Sequence, residues 1–472
     1  MPTIVIDPVT RIEGHAKITI HLDDDGQVAH TAFHVTQLRG FEKFCEGRPY
    51  YEMPSITARI CGICPISHLI ASAKACEAIM SVRVPPTAVK LREIMHCGQI
   101  IQSHALSFFY LSAPDLLLGF DSDPARRNVI GVIEDHPKLA RDGIALRKFG
   151  QRVIEALAGE RIHPSWTVPG GVNAPLDAAG RDSILAALPE AKATALRTLG
   201  FFKGIVDQFS DEIAVFGNAP TMYAGLTDEQ GNLQLYDGGL RFIDAAGDIV
   251  VDGMAAQDYQ AFIGEATVPH SFLKAPYFRR LGFPDGIFRV GPLARLNVAA
   301  RCGTELADAE FTEYHQRYGK VVQSSFHFHY ARLIEIVHCI ERMERLLNDP
   351  IVLGRHVRAH AGVNALEGIG MSEAPRGTLI HHYKVNEDGA MVWANLVIAT
   401  GNNNLAIGRS ITQVSRHYVD GTKLQEGMLN RVQAVLRAYD PCLSCSTHAI
   451  GQYPVDIQLV DAGGTLLDSV RS

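Results

Sequence analysis

The stretch that decides the fold reads Asp440-Pro441-Cys442-Leu443-Ser444-Cys445-Ser446-Thr447-His448, and it has a counterpart near the other end of the chain. That counterpart is Arg59-Ile60-Cys61-Gly62-Ile63-Cys64, with His68 four residues after Cys64. A Cys-x-x-Cys spacing lets two thiolates converge on one metal, because one turn of chain returns the second sulfur beside the first. Each histidine trails its second cysteine by three or four residues, the spacing that places both on one helical face. If both pairs hold one centre, residues about 380 apart must meet, and the chain closes into a single globule around them. A structural four-cysteine zinc site is the plain alternative, since closed sulfur sites are usually zinc. Zinc knuckles, however, keep their pairs within a few tens of residues, and a chain this size needs no metal to fold. A centre joined from opposite ends reads instead as a deep functional site.

Working outward, the chain has 472 residues, 47% of them hydrophobic, enough for a large core. Its 44 basic and 51 acidic side chains leave a net charge of −7, without the basic footprint of a nucleic-acid binder. No apolar run reaches the roughly 18 residues of a membrane span. The start, Met1-Pro2-Thr3-Ile4-Val5-Ile6-Asp7, lacks the basic region of a secretory signal. Nine cysteines, an odd number, fit reduced thiols in a cytoplasmic protein better than a disulfide framework.

Residues 1–53 read as strands, with Ala16 to Leu22 and Val28 to Val35 paired around Asp23-Asp24-Asp25-Gly26. Residues 54–216 read as the first part of a helical core, with helices over Thr87–Ser112, Asp135–Gly159 and Asp182–Phe216. Residues 217–298 are a Gly- and Pro-rich insert with strand candidates Leu233-Gln234-Leu235-Tyr236 and Asp248 to Asp252. Residues 299–448 resume the helical core, with a broken helical run over Thr304–Asn348. They also carry a hairpin over Thr378–Leu396 and a last helix over Gln425–Tyr439. Residues 449–472 form a C-terminal extension with the pattern of a short hairpin turning at Asp461-Ala462-Gly463-Gly464. The expected fold is α+β, a helix-dominated core with peripheral β-hairpins.

These residues resemble the large subunit of nickel–iron hydrogenases, through most of the chain. The resemblance is carried by Asp7-Pro8-Val9-Thr10-Arg11-Ile12-Glu13-Gly14-His15, Arg39-Gly40-Phe41-Glu42, Arg59 to Cys64, Glu373-Ala374-Pro375-Arg376-Gly377, and Asp440 to Cys445 with His448. Each motif alone is a modest signal, and five in the family's order are very specific. The nearest likeness is to the cytoplasmic bidirectional type that works with a nicotinamide-reducing module.

The resemblance implies a nickel–iron centre with cyanide and carbon monoxide ligands on the iron. It makes Cys61 and Cys442 terminal nickel ligands and Cys64 and Cys445 bridging ones, and soft thiolates suit those metals. His68 would hydrogen-bond a bridging sulfur. Glu13 matches a proton-relay glutamate that takes its proton from the sulfur of Cys442. Arg376 corresponds to an arginine over the open metal position, with Asp115 and Asp440 as its expected carboxylate partners. Thr400, in Ala399-Thr400-Gly401-Asn402-Asn403, falls where the family hydrogen-bonds a cyanide. Glu42, His448 and the backbone carbonyl of Leu396 match a magnesium site at which iron is a competing occupant.

Read without the resemblance, Glu13 is a turn residue, Arg376 follows a proline in a loop, and His68 is a core histidine. His327 and His329 would point about 200° apart on a helix, and His381 and His382 would face opposite sides of a strand. The other cysteines, Cys45, Cys76, Cys97, Cys302 and Cys339, form no further pair, and small buried thiols are the expected reading.

A catalytic subunit for reversible oxidation of dihydrogen is thus the leading expectation. The alternatives are a dihydrogen-sensing relative and a respiratory-complex relative that lacks the cysteines. The chain has no second cysteine constellation for an iron–sulfur cluster, so an iron–sulfur small subunit is expected as partner. The resemblance adds a flavin and iron–sulfur diaphorase module reaching NAD, nickel-insertion chaperones, and a maturation endopeptidase cutting between His448 and Ala449. In that picture the attached extension holds Cys442 and Cys445 away from their final places, and His448 swings inward once freed.

Overall fold

The computed structural model describes residues 2–419 and 423–449, and beyond them only the backbone of two strands, Asp456–Val460 and Leu466–Arg471. About 49% of the chain is helix and 20% strand, so the α+β, helix-dominated expectation holds. Alternation of apolar and polar residues sets the first sheet, in which Thr3–Ile6, Ala16–Leu22 and Val28–Val35 run antiparallel. Along Ala16–Leu22 the alanine, isoleucines and Leu22 are buried and the residues between them are partly exposed.

The helical core is built on Pro65–Met80, Pro86–Leu106, Pro137–Ala158, Ala178–Ile205 and Phe328–Leu347, which pack on one another over a continuous apolar cluster. Pro65, Pro86 and Pro137 each open their helix, where a missing N–H costs nothing. The Thr304–Asn348 run divides into Glu305–Tyr318 and Phe328–Leu347, parted after Gly319, whose φ of 96° ends the first helix.

Residues 217–298 carry a four-stranded sheet in the order Phe288–Arg289, Met222–Thr227, Gly239–Ile243, Ile249–Met254. The pair Ile263–Val268 and Ser271–Phe278 lies beside it in sequence. Leu233 to Tyr236, expected as a strand, is not one. Its backbone bonds go to three segments: Leu233 N to Arg301 O, Gln234 N to Leu226 O, and Leu235 O from Glu373 N. No single neighbour offers it a ladder.

The hairpin expected at Thr378–Leu396 is Gly377–Val385 paired with Met391–Val397, and Glu367–Ala374 adds a third, unanticipated strand. That strand lies so close to the Pro65–Met80 helix that a Cβ on Gly370 would sit 2.0 Å from Ala71 O. Glycine is required for this approach, and it brings the start of the helix toward the Pro375-Arg376 turn. The extension forms the expected antiparallel pair, Asp456↔Arg471 through Val460↔Leu466, although its turn lies outside the described residues. Among the described residues, no helix is long and apolar enough to cross a membrane.

Candidate metal centre

Each cysteine pair is placed by how a helix begins or ends. Cys64 is the residue before Pro65, at the positive end of the Pro65–Met80 helix dipole, which favours a thiolate. The backbone amides of Ile63 and Cys64 donate to Cys61 Sγ at 3.2 and 3.3 Å, folding the first pair into a tight bend. The second pair follows the Glu426–Tyr439 helix, which ends at Asp440 in a left-handed conformation with φ 55°. Pro441 then prevents the helix from resuming.

The two pairs meet. The sulfurs of Cys61, Cys64, Cys442 and Cys445 all lie within 4.8 Å of one another, and all four residues are buried. Cys61 Sγ is 3.4 Å from Cys442 Sγ, Cys64 Sγ is 3.5 Å from Cys445 Sγ, and the second pair's sulfurs are 2.6 Å apart. Hydrogen bonds from the sulfurs of Cys442, Cys445 and Cys61 push the Cys64 thiol well below its ordinary range, against burial. Burial pushes Cys442 and Cys445 well above theirs. Four buried soft donors cannot all ionise without a cation between them, which is the donor set that a soft divalent metal completes. This is the only such cluster among the described residues.

Arg376 occupies the two-residue turn between Glu367–Ala374 and Gly377–Val385 and is 2% exposed. Its guanidinium donates to Asp440 O at 2.8 Å and Oδ1 at 3.0 Å. Burial opposes its charge, but Asp440 and the sulfurs of Cys442, Cys64 and Cys61 outweigh that and hold it protonated. Asp115, expected as its second partner, is paired with other arginines instead. Its carboxylate pairs with Arg11 at 2.5 Å and with Arg437 at 2.9 Å, which together draw it below the ordinary range despite burial. The second flank of Arg376 is held by Ser103, whose Oγ is 3.1 Å from the guanidinium.

Glu13 comes alongside the second pair. Its backbone bridges Cys442 in parallel, its carbonyl accepts from Leu443 N at 3.2 Å, and its Oε2 accepts from Ser444 N at 3.0 Å. Gly14, at φ 88°, makes the approach possible, since a Cβ there would fall 2.7 Å from Leu443 Cβ. Thr400 Oγ1 accepts from Cys442 N at 2.9 Å, so its hydroxyl hydrogen is free to donate.

His68 adds to the depression of the Cys64 thiol and meets His381, Nδ1 to Nε2 at 3.1 Å. The sequence gives His381 only a core or surface role beside His382, because a strand histidine carries no sign of its distant neighbour. His382 does face the other way, toward Tyr259 at 3.0 Å and Glu367 at 2.6 Å. Glu42 Oε1 accepts from Leu396 N at 2.9 Å and from Lys274 Nζ at 2.8 Å, and Lys274 is another residue that sequence reasoning missed. His448 is 1% exposed, with Nδ1 accepting from Phe41 N at 3.3 Å and a buried Nε2 that has no partner. An unpartnered imidazole nitrogen beside this region suits a metal ligand. The expectation that the extension keeps the second pair apart is overturned: the sulfurs converge and His448 is buried in a chain that continues to Ser472. Thr447 O, clamped by Arg39 N at 2.8 Å and Gly40 N at 3.1 Å, ties this segment in place.

Comparison with known proteins bears on this geometry. A family model described as HoxL-like matches residues 3–38, and one described as nickel-dependent hydrogenase matches residues 39–120 and 228–448. The chain is 41% identical to the NAD-reducing hydrogenase HoxS subunit beta of Cupriavidus necator, over 98% of each chain. It is also 41% identical to one chain of the F420-non-reducing hydrogenase vhu of Methanocaldococcus jannaschii, over 88% of this chain and 99% of that one. A crystal structure of an NAD+-reducing NiFe hydrogenase in the H2-reduced state superposes with a TM-score of 0.92 at 44% identity, covering 95% of this chain and all of that one.

Proposed function

The chain belongs to the nickel-dependent hydrogenase family, and from that premise we propose that it is the catalytic large subunit of a nickel–iron enzyme oxidising dihydrogen reversibly to protons and electrons. The observation that carries this reading is the convergence of four buried sulfurs beside one buried guanidinium. Cys61, Cys64, Cys442 and Cys445 would together hold nickel and an iron carrying cyanide and carbon monoxide. Bound there, the two metals supply the Lewis acidity and redox capacity for splitting dihydrogen.

The chain's own groups manage the proton and the charge. Cys442 Sγ is the first base, and the Glu13 carboxylate, fixed on the amide of Ser444, carries the proton away. Arg376, anchored on Asp440, places a permanent positive charge against the sulfurs in a buried site. Thr400 fixes the backbone of Cys442 and keeps its hydroxyl hydrogen available to donate to a cyanide of the centre. His68 tunes the sulfur of Cys64. Glu42, the Leu396 carbonyl and His448 would hold magnesium, or iron in its place.

Electrons leave through an iron–sulfur small subunit, and a flavin and iron–sulfur diaphorase passes them to NAD. The NAD-reducing relative and structure named above support that acceptor. Residues 449–472 would be removed after His448 by a maturation endopeptidase once chaperones have inserted nickel, and the assembly would work in the cytoplasm. The test is dihydrogen uptake by the assembly purified anaerobically. Dihydrogen-dependent reduction of both an artificial dye and NAD is expected. Dye reduction alone would move the acceptor elsewhere, and no uptake from a nickel-loaded assembly would overturn the catalytic reading. The mass of the active chain should end at His448.

A further inference from the structure

The two residues before Arg376 are bonded to another buried guanidinium, one with no part in the site described above. Arg295, on the Pro292–Val298 helix, is 0% exposed, as are Glu335, Glu373 and His104 around it. A guanidinium has five N–H donors in a rigid planar fork. Arg295 has five acceptors, one for each. Nε and NH2 form a paired contact with the two oxygens of Glu335, both at 2.7 Å, and NH1 reaches Glu373 Oε2 at 2.8 Å. The remaining two bonds go to the carbonyls of Ala374 at 3.0 Å and Pro375 at 3.3 Å, the two residues that lead into Arg376.

The carboxylates are fixed in turn. Glu373 Oε1 accepts from Thr378 Oγ1 at 2.8 Å, across the hairpin at its register partner, and from Leu226 N at 3.2 Å. Glu335 Oε2 accepts from His104 Nε2 at 2.7 Å. His104 neighbours Ser103 on the Pro86–Leu106 helix, and Ser103 grips the Arg376 guanidinium itself. One helix therefore holds both the tip of Arg376 and the frame under its backbone. Buried ion pairs contribute little net stability over well-packed apolar side chains. Here the bonds are directed at two carbonyls whose positions decide where the next side chain starts.

We infer that Arg295, Glu335, Glu373 and His104 form a positioning frame for Arg376, fixing its hairpin turn so that the guanidinium meets the sulfur centre in one place. These are positioning residues, since they act through Arg376 and touch no reacting atom. The inference rests on the catalytic reading of Arg376, and the experiment separates the two.

The experiment is a double-mutant cycle in the assembled, nickel-loaded enzyme, with kcat, KM for dihydrogen, nickel content and thermal midpoint measured for each variant. Arg295→Lys keeps the charge but cannot reach both carboxylates and both carbonyls. Glu335→Gln keeps the shape but loses the paired contact. Either is expected to lower kcat on the order of tenfold or more, the scale of a small misplacement of a catalytic group, with KM and nickel content held. In an Arg376→Lys background, adding either change should alter kcat by less than about twofold, because the group they position is already gone. Where a buried-charge variant does not accumulate folded, Thr378→Val, which removes one bond to Glu373, takes its place in the cycle. Full, multiplicative losses in the double variants, or loss of kcat only in step with nickel, would overturn the frame. A normal kcat for Arg376→Lys would instead overturn the reading of Arg376 on which it stands.

Discussion

The two halves of the sulfur centre are built in different ways. The first pair is mostly local: a bend between the Met53–Ala58 and Pro65–Met80 helices, two amides donating to Cys61, and a helix start at Cys64, with Gln99 and Gln102 of the next helix donating to Ile63 O. The second pair lies in a coil, and what holds it comes from far away in sequence. Thr400 takes the amide of Cys442, Glu13 takes those of Leu443 and Ser444, and Arg39 and Gly40 hold Thr447. The first half is therefore a preformed receptor, and the second is the part that remote segments must close. Damage to the N-terminal strands should reach the second pair and spare the first.

Glu13→Gln sharpens this contrast most. An amide oxygen still accepts from Ser444 N, so the second pair stays in place, but the group no longer cycles a proton. Turnover should fall by about two orders of magnitude or more with nickel content unchanged. Near-normal turnover would move the relay to another residue.

Gly14→Ala attacks the closure itself. A methyl at φ 88° and 2.7 Å from Leu443 Cβ must displace the second pair's backbone. The expected cost is about 1–3 kcal/mol of strain, seen as a lower thermal midpoint and incomplete nickel loading. Full loading at an unchanged midpoint would show that the approach is slack.

Thr400→Val leaves the Cys442 amide buried without its acceptor, at an expected cost of about 1–3 kcal/mol. In the first half the amides of Ile63 and Cys64 bond instead to the sulfur of Cys61, which is itself one of the four sulfurs of the centre. A midpoint equal to that of the parent would refute the dependence on Thr400.

A global effect is also expected with pH. Burial lowers His104 and His338 from 6.5 to about 4, and His96 to about 3. A base whose folded pKa is lowered binds fewer protons folded than unfolded below 6.5, so stability is lost as pH falls. Thermal midpoints should therefore decline as pH falls from 6.5 to 4. A flat profile across that window would mean that these rings are hydrated.

The same division explains what could be read in advance. Cys61, Cys64, Cys442 and Cys445 were legible because Cys-x-x-Cys is a local signal. The hairpins were legible because alternation and turn residues are local too. Ser103, His381, Lys274 and Arg295 were not, since each acts on a partner reached only through folding, and an isolated serine or arginine carries no periodicity. Asp115 was drawn to Arg376 by resemblance, but three arginines nearer to it, Arg11, Arg127 and Arg437, claim its charge. Leu233 to Tyr236 had the alternation of a strand, but its backbone bonds are divided among three segments and form no ladder.

The most direct test of the account is nickel per chain in the anaerobically purified assembly, for the parent, Cys64→Ser and Cys445→Ser. A serine keeps the size but replaces a soft ligand by a hard one at a site where both halves must contribute. The account predicts one nickel per chain in the parent and none retained in either variant. Stoichiometric nickel with dihydrogen oxidation in one of the variants, or zinc in place of nickel in the active parent, would contradict it.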